Sequence, residues 1–153
     1  MTTMTRRREA VDATSREIAR LESDLVIAEH AVTVARGAAR AQAEAKLGQI
    51  RAELTQYRDE LQTHTAAIAR DTDDRIAVIK AQAAVEAAPA RQRLETVADQ
   101  LRAKRDALAA QATTLRQAAA AEWQGAKSNF DRALHELVSV EEPTPPTGAR
   151  RDK

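Results

Sequence analysis

The amino-acid sequence predicts an all-α protein that folds as an elongated antiparallel helical hairpin of the coiled-coil type. Alanine, leucine and charged residues dominate the 153-residue chain, in which charged residues make up 31% and aromatic residues only 2%. Such residues form helices readily, because they lose little side-chain entropy in a helix. The larger apolar residues recur at alternating steps of three and four, which is a heptad pattern. With only 4 glycines and 4 prolines, few positions favour turns.

Charge and composition limit the partners, metal sites and cell compartments that the sequence fits. The 24 basic and 23 acidic residues are interspersed and give a net charge of +1, so no extended field attracts DNA or an anionic membrane. The absence of cysteine excludes disulfides and thiolate metal sites. The arginines near the N-terminus precede no apolar signal segment, and no run of 18 apolar residues follows. We therefore expect a cytoplasmic protein.

Three segments can be distinguished along the chain. Residues 1–8 are predicted to form a flexible basic arm, and residues 9–140 a coiled-coil helical domain. Residues 141–153, EEPTPPTGARRDK, contain three prolines within four residues and predict a disordered basic tail. Inside the helical domain, the polar stretch RDTDDR at residues 70–75 interrupts the heptad pattern. It predicts the turn between two arms, residues 9–70 and 75–140.

Glycine and proline positions refine the two arms. Gly37 and Gly48 each cost about 1 kcal/mol relative to alanine inside a helix, but neither is next to Pro, Asn or Asp. We therefore expect the first helix to continue through both. Pro89 removes a helical donor and predicts a kink or a helix start in the second arm. The two four-residue steps from Leu115 through Ala119 to Trp123 predict a local relaxation of supercoiling within a continuous helix.

The arms have nearly equal lengths, on the order of 90–100 Å at 1.5 Å per residue. Each is expected to bury its apolar seam against the other. The predicted seam residues are Leu21, Leu25, Leu47, Ile50, Leu54, Leu61, Ile68, Leu94, Leu101, Leu108 and Leu115. The alternative is a bundle of three or four shorter helices with turns near Gly37, residues 70–75 and Pro89. A single seam leaves apolar edges, so we expect self-association into a dimer or a four-helix bundle.

Trp123 and Phe130 are two of the three aromatic residues, and they lie one heptad apart on one helical face. Together with Leu137, they are predicted to close the seam near one end. The alternative is an exposed patch that contacts a partner or a lipid surface, because tryptophan is favoured at interfaces.

Residues 103–137, AKRDALAAQATTLRQAAAAEWQGAKSNFDRALHEL, resemble part of a family of short bacterial coiled-coil stress-response proteins of the cyanobacterial type. The matching positions are Lys104, Arg105, Asp106, Leu108, Leu115, Trp123, Lys127, Phe130, Ala133, Glu136 and Leu137. The sequence departs from the family at Asn129, where a glycine is usual, and at Leu134, where a second tryptophan is frequent. The resemblance covers about a quarter of the chain and implies an all-helical, non-enzymatic protein linked to stress.

Side chains that could perform chemistry are sparse. The three histidines, His30, His64 and His135, are far apart in sequence. Glu60 precedes His64, and Asp131 precedes His135, by four residues, but neither pair forms the repeated E-x-x-H pattern of carboxylate metal bundles. Phosphate-binding loops, nucleophile elbows and H-E-x-x-H motifs are not found. We therefore expect no enzymatic activity, no metal, no cofactor and no small-molecule substrate.

The sequence thus predicts a coiled-coil structural, scaffold or interaction protein, whose partner is a further copy of itself or another helical protein. One alternative is an amphipathic-helix protein that coats a lipid or granule surface, as phasins and apolipoproteins do. A lesser alternative is nucleic-acid association through the basic clusters at residues 6–8 and 150–153, although charges at both ends more often only solubilise a chain.

Overall fold

Four helices joined by short turns make up the computed structural model, which describes residues 3–140. They are α1 (Thr3–Val34), α2 (Ala38–Ala84), α3 (Ala88–Gln117) and α4 (Ala120–Val138). Consecutive helices pack against each other, and α4 also contacts α1. The predicted all-α class is confirmed.

Ion pairs between helices show that neighbouring helices run antiparallel. On α2, Arg51 and Arg58 pair with Glu29 and Glu22 of α1, so residue numbers rise on one helix as they fall on the other. Between α2 and α3 the Arg105 Nε atom lies 3.0 Å from a carboxylate oxygen of Asp73. Lys104 of α3 and Glu136 of α4 are 2.9 Å apart, which shows that α4 returns along α3.

All four helices overlap only in the middle of the molecule. There Lys127 of α4 lies 3.4 Å from Asp12 of α1 and closes the ring of four. The register places residues 3–20, 60–77, 101–117 and 120–138 at this level, which we call the bundle. It is about 27 Å long at 1.5 Å per residue.

Two pairs of helices project from the bundle in opposite directions. The long arm consists of residues 21–34 of α1 and 38–59 of α2. The short arm consists of residues 78–84 of α2 and 88–100 of α3. Because α2 forms one side of both arms and of the bundle, its 47 residues span the molecule over about 70 Å.

The predicted turn at residues 70–75 is wrong, because α2 is continuous through this stretch. Its polar side chains have partners in the bundle. The buried Thr72 hydroxyl donates to the carbonyl of Ile68 at 2.9 Å. Asp71 accepts from Arg7, and Asp73 pairs with Arg105. These contacts keep the segment helical. The predicted arms, residues 9–70 and 75–140, are therefore not separate units of the structure.

The first turn lies at Gly37, as in the alternative of a bundle of three or four shorter helices, and not at residues 70–75 as in the predicted hairpin. Gly37 has φ of 62°, a left-handed conformation that glycine adopts without steric penalty. The expectation that the helix continues through Gly37 is therefore wrong, whereas Gly48 does lie inside α2. The second turn is at residues 85–87. Pro89 then stands in the first turn of α3, where no helical donor is needed, and the predicted helix start there is confirmed.

The third turn consists of Ala118 and Ala119, both in extended conformation. The prediction of a continuous helix from Leu115 to Trp123 is therefore wrong. The flexible basic arm is also wrong for the residues described, because α1 starts at Thr3 and Arg7 pairs with Asp71 at 2.9 Å. The predicted tail at residues 141–153 lies outside the described residues.

A continuous apolar core runs through the bundle into both arms. Of the predicted seam residues, Leu25 is half-buried and packs against this core. The remaining seam residues are buried: Leu21, Leu47, Ile50, Leu54, Leu61, Ile68, Leu94, Leu101, Leu108 and Leu115. Trp123 is 5% exposed, and Phe130 and Leu137 are fully buried. This burial favours the packing interpretation of the aromatic pair over the exposed patch.

Candidate interaction surfaces

The base of the long arm is fixed by Arg58 of α2. Its guanidinium donates to the carboxylate of Glu22 on α1, which is only 4% exposed. It also donates to the carbonyl oxygen of Arg116, and to that of Ala118 at 2.8 Å. Carbonyls at a helix C-terminus lack intrahelical donors and carry partial negative charge. Arg58 therefore caps α3 and joins three helices where the bundle meets the long arm.

The start of α4 is fixed from the other side of the same turn. The Ala119 backbone N–H donates to the Glu122 carboxylate at 3.4 Å, and the Glu122 N–H donates to the Ala119 carbonyl at 3.0 Å. A carboxylate in the first turn also suits the positive end of the helix. Glu122 and Arg58 together explain why a run of alanines, AAAA at residues 118–121, contains a turn.

A shallow groove follows the outer side of the α2–α3 contact in the bundle. Methyl groups of Ala66, Ala69 and Ala109 line it, and Arg105 and Arg116 are among its polar lining residues. The hydrogen bonds of Arg105 to Asp73 and Asp106 raise its pKa. The lining residues contain no carboxylate, imidazole or thiol. The groove therefore offers contact area and no group for acid–base chemistry.

The long arm leaves large aliphatic side chains in contact with solvent. The exposed fractions are 54% for Val26, 68% for Ile27 and 63% for Val34. Ile27 and Val34 lie one heptad apart on one face of α1, whereas Val26 points to another, and apolar residues that share an exposed face mark interaction sites more often than scattered ones. The sequence carried a signal for it, because Leu25, Val26 and Ile27 are consecutive and cannot all face one partner helix. Our sequence reasoning missed it.

The short arm carries a smaller exposed apolar surface. Val78 is 58% exposed, and Val85 in the turn at its tip is 82% exposed. Both projecting ends of the molecule therefore present aliphatic side chains to solvent.

Arg20 shows which side of the long arm Ile27 occupies. It lies one heptad before Ile27 and two before Val34, so the three residues share one face of α1. Arg20 binds Glu17 at 2.8 Å and Asp24 at 3.2 Å. The hydrogen bond and charge of Glu17 raise the pKa of Arg20, and Asp24 and Glu53 of α2 act in the same direction. Ile27 therefore lies one heptad beyond a cluster of exposed charges on α1.

The histidines that the sequence offered as candidates are not brought together. His30 is exposed on the long arm, and His64 is half-buried in the bundle. His135 has its Nε2 atom 3.5 Å from the Ser139 hydroxyl, while Asp131 binds Lys127. Across residues 3–140, no three His, Cys, Asp or Glu side chains are grouped so that they could hold a metal ion.

A scan against protein-family models, a search of curated proteins and a search of solved structures each found no match to this chain. The family resemblance of residues 103–137 therefore stays a prediction. Several of the residues that carry it connect helices: Lys104 with Glu136, and Lys127 with Asp12. None of the described helices has a stretch that is both long and apolar enough to cross a membrane.

Proposed function

We propose that the protein is a non-enzymatic coiled-coil scaffold or interaction protein whose arms bind other helical protein segments. The observation that carries this proposal is the placement of Val26, Ile27 and Val34 on an arm that the bundle leaves uncovered. When a partner covers exposed aliphatic side chains, the free energy falls by about 25 cal/mol per Å² of apolar surface removed from water. An arm of only two helices has room for such a partner on either side.

The bundle supports this function by holding the arms in place. Ion pairs connect each pair of neighbouring helices, and Arg58 fixes the long arm at its base. Because α2 continues through the bundle into both arms, their separation is constant. A fixed distance between two binding surfaces is what a scaffold or spacer requires.

Deletion of one heptad from each helix of the long arm tests the proposal. Removing residues 27–33 and 47–53 keeps the heptad register and the α1–α2 pairing, and shortens the arm by about 10 Å. We expect proteins that cross-link to the full chain in its source cells to be lost from the shortened chain. Circular dichroism and thermal unfolding serve as controls that the bundle still folds. Partners that bind both forms equally would contradict the proposed role of the arm.

A lipid- or granule-coating function would require a larger rearrangement. The bulkiest apolar side chains, Trp123, Phe130 and Leu137, are buried in the bundle and would have to turn outward. Flotation with neutral vesicles distinguishes the two functions. We expect the chain to remain in the dense fraction, and co-migration with vesicles would favour the lipid-coating alternative.

The association with stress is proposed from the resemblance of residues 103–137 alone. It predicts that the amount of this protein rises when its source cells are exposed to osmotic or oxidative stress. Immunoblotting before and after exposure measures this, and a constant amount would contradict the association.

A further inference from the structure

We propose that the long arm binds the long arm of a second copy of this chain, face to face and with the two tips pointing in opposite directions. This inference rests on the proposed function and names its partner. The contact surface is the side of the long arm that carries Ile27 and Val34 on α1 and Lys46 and Glu53 on α2. We call this side the arm face.

The four residues share one side of the arm. Ile27 and Val34 are seven residues apart on α1, and Lys46 and Glu53 are seven residues apart on α2. The Glu22–Arg58 ion pair marks one side of the α1–α2 pair. Ile27 is five residues from Glu22 and Glu53 is five residues from Arg58, which on antiparallel helices is a rotation of about 140° in the same sense, so both face the other side of the arm. All four are exposed, and within the described residues neither Lys46 nor Glu53 has an ion-pair partner. Two aliphatic side chains and two unpaired opposite charges are therefore presented together.

The spacing of these residues is self-complementary. The midpoint between Ile27 and Val34 lies between residues 30 and 31, and that between Lys46 and Glu53 lies between residues 49 and 50. The Glu29–Arg51 and Glu22–Arg58 ion pairs set residue 29 opposite 51 and residue 22 opposite 58. In this register the two midpoints lie opposite each other. One two-fold axis perpendicular to the arm therefore passes through both.

Rotation about this axis pairs unlike residues in a favourable way. Ile27 of each copy meets Val34 of the other copy, and Lys46 of each copy meets Glu53 of the other copy. The small side chain of Ala31 lies next to the axis and allows the two helices to approach closely. Each contact occurs twice, as in other two-fold symmetric interfaces. Both contacts between Lys46 and Glu53 are attractive, because the two side chains carry opposite charges.

The bundle does not obstruct this arrangement. Glu22, which faces α3 through Arg58, is five residues before Ile27 on α1. Five residues correspond to a rotation of about 140° around the helix axis. Helix α3 therefore covers a different side of the α1–α2 pair, and the arm of a second copy can lie along the open side.

The contact is small, and this sets the affinity that we expect. About this axis, residues 27–34 of α1 and residues 40–59 of α2 face the same residues of the second copy, over about 12 Å on α1 and about 30 Å on α2. Two helices side by side offer roughly 400 Å² per copy, which is below the area of stable specific interfaces and corresponds to a weak, transient contact. Dimers should therefore form at concentrations on the order of 10–100 μM.

Charge reversal tests the inference in sedimentation equilibrium experiments on the full chain. Lys46→Glu or Glu53→Lys alone creates two repulsive contacts per dimer, and we expect each to raise the dissociation constant about tenfold. The double variant Lys46→Glu/Glu53→Lys restores both pairs with their signs exchanged and should return to within about threefold of the parent. Failure of the double variant to recover would overturn the proposed pairing.

Two further variants separate the arm face from a general loss of apolar surface. Ile27→Glu should abolish the dimer, whereas Val26→Glu, one residue away on a different face, should leave it intact. Ala31→Cys should form a disulfide-linked dimer under mild oxidation, and Val26→Cys should not. If sedimentation shows only monomers at 200 μM, this inference alone is contradicted. The proposed function would be unaffected by that result. Comparison of the proteins that bind the full chain with those that bind the heptad-deletion variant would test it separately.

Discussion

The guanidinium of Arg58 on α2 is ion-paired with the nearly buried carboxylate of Glu22 on α1, and it caps the carbonyls at the end of α3. One side chain therefore determines where the long arm leaves the bundle and where the chain turns into α4. Burial makes this pair more important than the other ion pairs, most of which are exposed to solvent.

Substitution Arg58→Ala should lower the free energy of unfolding by about 3 kcal/mol, because it leaves Glu22 without its counter-charge and α3 without its cap. Chemical denaturation measures this. Arg51→Ala is the matched control, because Arg51 pairs with the exposed Glu29 at 3.6 Å and should cost less than about 0.5 kcal/mol. Equal effects of the two substitutions would show that the Arg58 contacts do not hold the junction.

Trp123 is the only tryptophan in the chain and lies inside the bundle at 5% exposure. Trp123→Ala should destabilise the protein by about 3 kcal/mol, since it leaves a cavity between α4 and the other helices. Fluorescence of the parent should show a blue-shifted maximum that moves to longer wavelength on unfolding. An unchanged melting temperature for Trp123→Ala would place the indole on the surface instead.

The ion pair of Glu136 and Lys104 predicts a dependence on pH. The hydrogen bond and the charge of Lys104 lower the pKa of Glu136 below its ordinary value of 4.5. A carboxyl whose pKa is lower in the folded state stabilises the fold at pH values above its unfolded pKa. This contribution is lost as the pH falls through the folded pKa.

Glu136→Gln should therefore be less stable than the parent at pH 7, and the difference should shrink as the pH falls below 4.5 and through the lowered pKa of Glu136. Urea denaturation at several pH values measures it. Glu95→Gln, at an exposed position on the short arm, is the control and should show a smaller difference. A constant difference between Glu136→Gln and the parent across this range would rule out the ionic contribution.

Two glycines should respond to alanine with opposite signs. Gly37 has φ of 62° and ψ of −135°, a backbone conformation that only glycine adopts readily, so Gly37→Ala should cost about 1–3 kcal/mol. Gly48 lies within α2, and Gly48→Ala should stabilise the fold by about 1 kcal/mol through helix propensity. A Cβ atom meets nothing within 4 Å at either position, so only backbone conformation differs. Thermal unfolding of both variants measures the signs.

The helical class and most of the core could be predicted from sequence, because heptad spacing reports directly which side of a helix is apolar. Pro89 marked the start of α3 for a purely local reason, namely its missing donor. Gly48 lies inside α2 next to the buried Leu47, whereas Gly37, whose neighbours favour a turn no more strongly, is a turn.

The positions of the turns could not all be predicted, because they depend on contacts between distant residues. Residues 70–75 have the composition of a turn, yet Arg7 and Arg105 compensate their charges from other helices. Residues 118–121 have the composition of a helix, yet Arg58 binds the carbonyl groups that the turn frees. Both errors come from tertiary contacts that override local preference. The arm face could not be predicted for another reason, because a heptad pattern identifies buried positions and says nothing about how exposed residues on two helices combine.

The continuity of α2 has a mechanical consequence. Both tips are joined by one continuous helix that the other three helices hold near its middle, so α2 provides no hinge between them. A force that moves the Gly37 end to one side therefore rotates the molecule and moves the Val85 end to the other side. The movements of partners bound at the two tips would then be coupled across about 70 Å, without any change in the helices themselves.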